Sequence, residues 1–118
     1  MNLDALPWTV DASAGPADRW EHATYLFDSG DHVAATRVLG ELVAEQPGAT
    51  AIRLLLARAY YHSAQLGRAE SELHELLERA PSDGYAHLLL GRTLQRRSRH
   101  AEAGPHLRLA AAMGVAQG

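Results

Sequence analysis

The chain has 118 residues, of which 47% are hydrophobic and 21% are charged, and its formal net charge is −3. This size supports one domain with a single core, the composition excludes a disordered chain, and the slight acidity argues against a general nucleic-acid binder. The lack of cysteine excludes disulfides and thiolate chemistry, and without an apolar run of roughly 18 residues or a secretory leader we expect a cytoplasmic protein that does not span a membrane.

Residues 1–15 precede any helical pattern and are predicted to be extended. Leu6, Trp8 and Val10 lie at every second position, which is the period of a strand and not of a helix. These apolar side chains would be costly to leave in water, so the segment is expected to dock on its own domain or on a second copy. A frayed tail is the alternative.

The rest of the chain predicts helices separated by turns. Ala and Leu, which favour helices, are the most frequent residue types, whereas the β-branched residues Ile and Val are scarce. The first helix is expected to end near Gly30, which tolerates a left-handed conformation, and Asp31 is placed to cap the second helix. Further breaks are expected at residues 63–65 and 80–84, and Ser98 lies in the matching turn of the last pair.

The sequence also repeats itself at one fixed interval. Four columns share this interval: Ala35, Ala69 and Ala103; Leu39, Leu73 and Leu107; Ala23, Ala57 and Gly91; Pro47 and Pro81. The Ala and Gly columns are expected where two helices meet, because only small side chains let the backbones approach closely. Each unit is therefore predicted to be a hairpin of a first helix, A, and a second helix, B.

These columns resemble the tetratricopeptide repeat, whose W-x₂-L-G-x₂-Y, A-x₃-F and P positions are taken in the second unit by Arg53, Leu56, Ala57, Tyr60, Ala69, Leu73 and Pro81. The resemblance implies an all-α, right-handed helix-turn-helix solenoid of three 34-residue repeats, at about residues 16–49, 50–83 and 84–114. The implied domain covers residues 16–118 and has no clear C-terminal capping helix.

In repeats of this kind the A helices line a concave groove, which the resemblance makes the expected binding face for a protein or peptide. The residues placed on this groove are Trp20, Thr24, Phe27, Leu54, Arg58, Tyr61, His62, Tyr85, Leu88, Arg92, Gln95 and Arg96. Aromatic rings beside guanidinium groups suit an extended peptide or helix that carries apolar anchors and a carboxylate. The alternative is a solvated inner surface whose tyrosines only pack against their neighbours.

Charged residues cluster at two other places. Glu70, Glu72, Glu75 and Glu78 share the second B helix with Arg68 and Arg79, and their i, i+4 pairs predict a solvent-exposed face. Arg92, Arg96, Arg97 and Arg99 lie at the end of the third A helix. They are interpreted as a solvated helix end that complements the helix dipole, or as a patch for an acidic partner.

No pattern of metal binding or catalysis is found. The seven histidines are scattered, and pairs such as His62 and His74, or His100 and His106, lack the i, i+4 spacing that directs two imidazoles to one metal. Phosphate-binding loops, nucleophile elbows and zinc-protease motifs are missing. We therefore expect no cofactor, no metal and no enzymatic activity.

The C-terminal helix is expected to leave apolar surface uncovered, since stacked repeats normally end in a polar cap. Leu107 and Met113, together with Trp8 of the N-terminal segment, are candidates for self-association into a homodimer. The sequence thus favours a non-catalytic adaptor or scaffold that binds a partner in its groove. A structural subunit that assembles through uncapped repeat ends is the alternative.

Overall fold

A computed structural model of the chain describes residues 15–115, which form six α-helices and contain no strand. The helices are α1 (Pro16–Asp28), α2 (His32–Glu45), α3 (Thr50–His62), α4 (Leu66–Arg79), α5 (Gly84–Arg96) and α6 (His100–Ala112). Consecutive helices pack against each other, so that α1–α2, α3–α4 and α5–α6 form hairpins that stack side by side. The all-α prediction is confirmed. The predicted extended segment, with Trp8, lies outside the described residues apart from Gly15.

The turns inside the hairpins share one backbone conformation. Gly30, Ala64 and Ser98 occupy equivalent positions of the three hairpins and have φ angles of +88°, +59° and +61°. Gly30 adopts this left-handed conformation without a steric penalty, whereas the Cβ atoms of Ala64 and Ser98 make it less favourable. The expected left-handed turn at Gly30 is confirmed, and the repeat reproduces it even where glycine is absent.

Aspartate side chains cap the helices that follow two of the turns. The Asp31 carboxylate accepts a hydrogen bond from the backbone N–H of Ala34 at 3.2 Å, at the start of α2. Asp83 accepts one from Ala86 at 3.0 Å, at the start of α5. Both satisfy an N–H that has no partner within its own helix.

The small-residue columns lie where the helices of each hairpin meet. Ala23, Ala35, Ala57 and Ala69 are completely buried, and larger residues pack around them in two core clusters. In the last hairpin, a Cβ on Gly91 would lie 2.5 Å from Cδ2 of Leu107. Gly91 is therefore required by the position of one side chain, because Leu107 fills the space that a larger residue would need.

Leu107 is consequently part of the packing between α5 and α6. Its side chain is half-buried and contacts the second core cluster, so it offers less surface for self-association than the sequence analysis expected. The exposed apolar side chains of this region are Leu109 and Met113.

Buried polar residues connect the helices at the equivalent positions of Arg19, Arg53 and His87. Arg53 forms an ion pair with Glu72 of α4 at 2.7 Å, and its second terminal nitrogen donates to the Pro47 carbonyl at 3.0 Å. Arg19 forms an ion pair with Glu45 of α2. The two arginines replace the aromatic side chain of the repeat pattern with a long cation that reaches a neighbouring helix.

The prediction of a solvent-exposed face on α4 was wrong for Glu70 and Glu72. Glu72 binds Arg53, and Glu70 accepts hydrogen bonds from Arg97 at 2.8 Å and Arg99 at 2.7 Å. Both glutamate side chains are largely buried, because arginines outside α4 cover their carboxylates. Two arginines of the basic end of α5 therefore link α4 to the last hairpin and do not form a freely solvated end.

Candidate peptide-binding groove

The A-helix faces of α1 and α3 enclose a pocket of about 260 Å³. Trp20, Thr24 and Phe27 recur at helical spacing on α1, so they lie on one face of this helix. Leu54 and Arg58 of α3 form the opposite wall. These five residues were all placed on the groove by the sequence. The lining is mainly apolar and aromatic, with one cation, which suits a side-chain anchor.

Arg58 lies at the centre of this surface and is held by aromatic rings. Its guanidinium carbon is 4.7 Å from the centroid of Phe27 on α1 and 5.9 Å from that of Tyr85 on α5. Within residues 15–115 no hydrogen bond or ion pair involves this guanidinium group. The rings therefore orient Arg58 through cation–π contacts while leaving its N–H donors unused.

A second cation follows along the groove. Arg96 lies 4.6 Å from the centroid of Tyr61 and donates to the Tyr61 backbone carbonyl at 2.9 Å. This hydrogen bond links α5 to the end of α3 and fixes the guanidinium beside the aromatic ring. Part of the donor capacity of Arg96 is thus already used, in contrast to Arg58.

His62 belongs to an aromatic cluster at the C-terminal end of α3. Its ring stacks on His32 of α2 at 4.9 Å and meets the edge of Phe27 at 5.7 Å. Burial lowers the pKa of His62, and the nearby charges of His32, Arg58 and Arg96 lower it further. We therefore expect His62 to be neutral at pH 7, so that the positive charge of the groove comes from its arginines.

The remaining predicted groove residues differ in accessibility. Tyr85 is 46% exposed and Gln95 is also exposed, whereas Leu88 is buried within the packing of α5. Arg92 is half-buried. The structure thus brings the predicted residues of α1 and α3 together in one pocket, and α5 adds Tyr85 and Arg96 beside it.

Sequence reasoning missed several residues of this surface: Asp28, Ala51 and Leu55 in the pocket, and His32 beside His62. Asp28 follows Phe27 at the end of α1, so extending the α1 stripe by one residue would have found it. His32 belongs to a B helix, and no column of A-helix residues could include it. It reaches the groove because α2 packs against α3, with His32 at the start of α2 stacked on His62 at the end of α3.

The stacked hairpins and their aromatic groove define the class as an α-helical repeat protein. The family model described as tetratricopeptide repeat matches residues 26–93. The chain therefore belongs to the tetratricopeptide repeat family, as the sequence columns indicated.

Solved structures of MamA proteins share this fold. MamA of Desulfovibrio magneticus RS-1, from residue 41 to its end, is 20% identical with a TM-score of 0.81, and the match covers 87% of this chain and 58% of that chain. MamA of MSR-1 is 18% identical with a TM-score of 0.81, covering 88% and 60%. MamA of AMB-1 is 19% identical with a TM-score of 0.82, covering 88% and 57%. The chain thus spans about three fifths of these proteins.

The search of curated proteins returns no match. In the part of the chain that the structure describes, no cluster of three or more His, Cys, Asp or Glu side chains is arranged to hold a metal ion. None of the helices α1 to α6 is both long and apolar enough to cross a membrane.

Proposed function

We propose that this protein is a non-catalytic interaction module that binds a partner peptide, extended or helical, in the groove lined by its A helices. The peptide carries an apolar anchor for the pocket between α1 and α3 and a carboxylate for Arg58. The observation that carries the proposal is the guanidinium of Arg58, which aromatic rings orient although its N–H donors have no partner in the described chain.

Electrostatics support a carboxylate as the polar group of this peptide. A guanidinium presents paired N–H donors in a geometry that matches a carboxylate, and such charge-assisted hydrogen bonds are strong. Arg96 adds positive charge further along the groove. Trp20 and Ala51, towards the amino-terminal ends of α1 and α3, offer the apolar part of the pocket for the anchor, whereas the acidic residue lies beside Arg58. Asp28 follows Phe27, whose ring contacts Arg58, so its exposed carboxylate lies towards the same end and reduces the positive charge there.

Membership of the tetratricopeptide repeat family supports a protein partner, because this family presents extended concave surfaces for binding. The MamA structures support the fold itself. The family hosts many different partners on one scaffold, so the chemistry of this groove carries the choice of an acidic, apolar peptide.

Selection from a random peptide library would test the groove, followed by affinity measurements on the enriched peptides. We expect enrichment of a large apolar residue close to Asp or Glu. Arg58→Glu should weaken binding of these peptides by about 10–150-fold, because a hydrogen bond to a charged group contributes roughly 1.5–3 kcal/mol. Arg58 is half-buried against Phe27 and Tyr85, so the variant should lose about 0.5–1 kcal/mol for each cation–π contact and still fold, which urea unfolding would check.

Arg37→Glu is the matched control for this experiment. Arg37 lies exposed on α2, outside the groove, so its replacement changes the net charge equally and should preserve the affinity. Equal losses in the two variants would show that only overall charge matters. Enriched peptides without an acidic residue would contradict the assignment of Arg58 as a carboxylate site.

Self-association is the second candidate function, and one feature of α6 favours it. Leu109 and Met113 are 43% and 40% exposed. At the equivalent positions of the preceding hairpin α4 has Glu75 and Arg79, and in the first hairpin α2 has glutamates. The outer face of the last B helix is therefore apolar where the corresponding faces are charged, which is typical of an interaction surface.

Light scattering over a concentration series would test self-association. A dimer that dissociates in the variant Leu109→Glu with Met113→Glu would support pairing through α6, and Val33→Glu, at an exposed apolar position of α2, is the control. Removal of residues 1–12 tests exchange of the segment with Trp8. The mass of one chain at every concentration would contradict both forms of self-association.

A further inference from the structure

Two histidines connect the helices of the last hairpin. Nδ1 of His87 on α5 lies 3.0 Å from Nδ1 of His106 on α6, and their rings stack with centroids 5.3 Å apart. Nε2 of His87 lies 2.9 Å from the carbonyl oxygen of Pro81. His87 is buried and His106 is half-buried, so this contact belongs to the interior of the hairpin.

The same positions of the preceding hairpin hold an ion pair. One repeat earlier, Arg53 takes the place of His87 and Glu72 that of His106, and Arg53 also donates to the carbonyl of Pro47, which matches Pro81. The two networks thus have the same topology but different chemistry. A charged pair is formed over a wide pH range, whereas histidine changes its charge between about pH 5 and 8.

Proton positions in the histidine pair follow from its neighbours. A carbonyl oxygen only accepts, so Nε2 of His87 carries a hydrogen and, in the neutral ring, its Nδ1 is an acceptor. Nδ1 of His106 must then donate. One additional proton preserves the hydrogen bond between the two Nδ1 atoms. If His106 takes the proton at Nε2, its Nδ1 still donates to His87; if His87 takes it at Nδ1, His106 must change tautomer so that its own Nδ1 accepts. A second additional proton places hydrogens on both Nδ1 atoms and breaks the contact.

We infer that the His87–His106 pair is a pH-sensitive link that holds α6 against α5 near neutral pH and loosens the last hairpin in mildly acidic conditions. His74 on α4 acts electrostatically on His106 and lies 3.5 Å from Glu70 of the same helix. The other charged residues near the pair in sequence are Asp83 before α5, Arg99 before α6, and Glu102 and Arg108 on α6. Asp83 is engaged as a helix cap, and Glu102 is bound by Arg99 at 2.6 and 2.9 Å.

The direction of the effect agrees with the environment of His106. Burial lowers its pKa, and the electrostatic interactions with His87 and His74 lower it further. As the pH falls, the His106 imidazole is therefore protonated in the unfolded chain before it is protonated in the folded chain. The contribution of neutral His106 to folding stability is complete above the ordinary pKa of 6.5 and decreases as the pH falls below it. Tyr85 of α5 lies beside Arg58, so loosening of the last hairpin at acidic pH should also weaken peptide binding in the groove. This consequence rests on the proposed function.

The variant His87→Arg with His106→Glu tests the inference by installing the ion pair of the preceding hairpin. For the unchanged chain, we expect the urea midpoint of unfolding to fall between about pH 7.5 and about pH 5, where histidine titrates. The double variant should lose most of this shift. Other groups, such as His62, titrate in both proteins, so the difference between their shifts reports on the pair.

Hydrogen exchange, corrected for the intrinsic effect of pH, gives a local measurement. Amides of α6 should lose protection at the acidic pH in the unchanged chain, whereas those of α2 should retain it. His106→Asn is the second variant, because an amide can donate a hydrogen bond but does not titrate in this range; it too should lose the shift. Equal pH shifts in all three proteins, or unchanged protection of α6, would overturn the inference, and neither measurement depends on a peptide partner.

Discussion

Leu73→Ala is expected to lower the free energy of unfolding by about 2–5 kcal/mol, the range for truncating a fully buried leucine. Leu73 is completely buried in α4, within the cluster that joins α3 to α5. Removing three carbon atoms there loses transfer free energy and leaves a cavity, since the helices around it cannot close without disturbing their other contacts. Urea unfolding followed by circular dichroism would measure the change.

Leu77→Ala provides the comparison on the same helix. Leu77 is only half-buried against this cluster, so the same truncation should cost clearly less than at Leu73. Equal effects of the two substitutions would contradict the packing of α4 described above. Because each hairpin contacts only its neighbours, the Leu73 variant should also unfold less cooperatively, with the hairpins α3–α4 and α5–α6 most affected.

Glu72→Ala should destabilise the protein by about 3 kcal/mol, because removal of one partner leaves a buried cation without its counter-ion. Arg53 is 6% exposed and loses its 2.7 Å ion pair, keeping only the hydrogen bond to Pro47. Glu75→Ala is the matched control: Glu75 is exposed on the same helix, so its removal should change stability by about 0.5 kcal/mol or less. Thermal and urea unfolding of the two variants would test the difference.

Replacing both partners should cost far less than replacing one. Arg53→Met with Glu72→Leu removes the whole charged pair, and apolar residues of similar volume often substitute for buried ion pairs without a loss of stability. Nε of Arg53 is buried and has no hydrogen-bond partner among the described residues, so the existing pair is incompletely satisfied. A double variant less stable than Glu72→Ala would contradict this account.

The sequence predicted the repeated features because they depend on local chemistry and on one period. The left-handed position at Gly30 and the cap at Asp31 are properties of a few adjacent residues. The buried alanine columns follow from the requirement for close helix contact within each hairpin. The grouping of Trp20 and Leu54 in one pocket followed from the resemblance, which states which helix face becomes concave.

Only the tertiary structure decided the pairings between residues that are distant in sequence. Glu70 was assigned to solvent because its own helix offers nearby partners, yet it binds Arg97 and Arg99, which belong to the following hairpin. His87 and His106 meet across two helices although their spacing indicated no common site. A helical period specifies which face a side chain occupies, but its partner depends on which helix stacks there and on the reach of that helix's side chains.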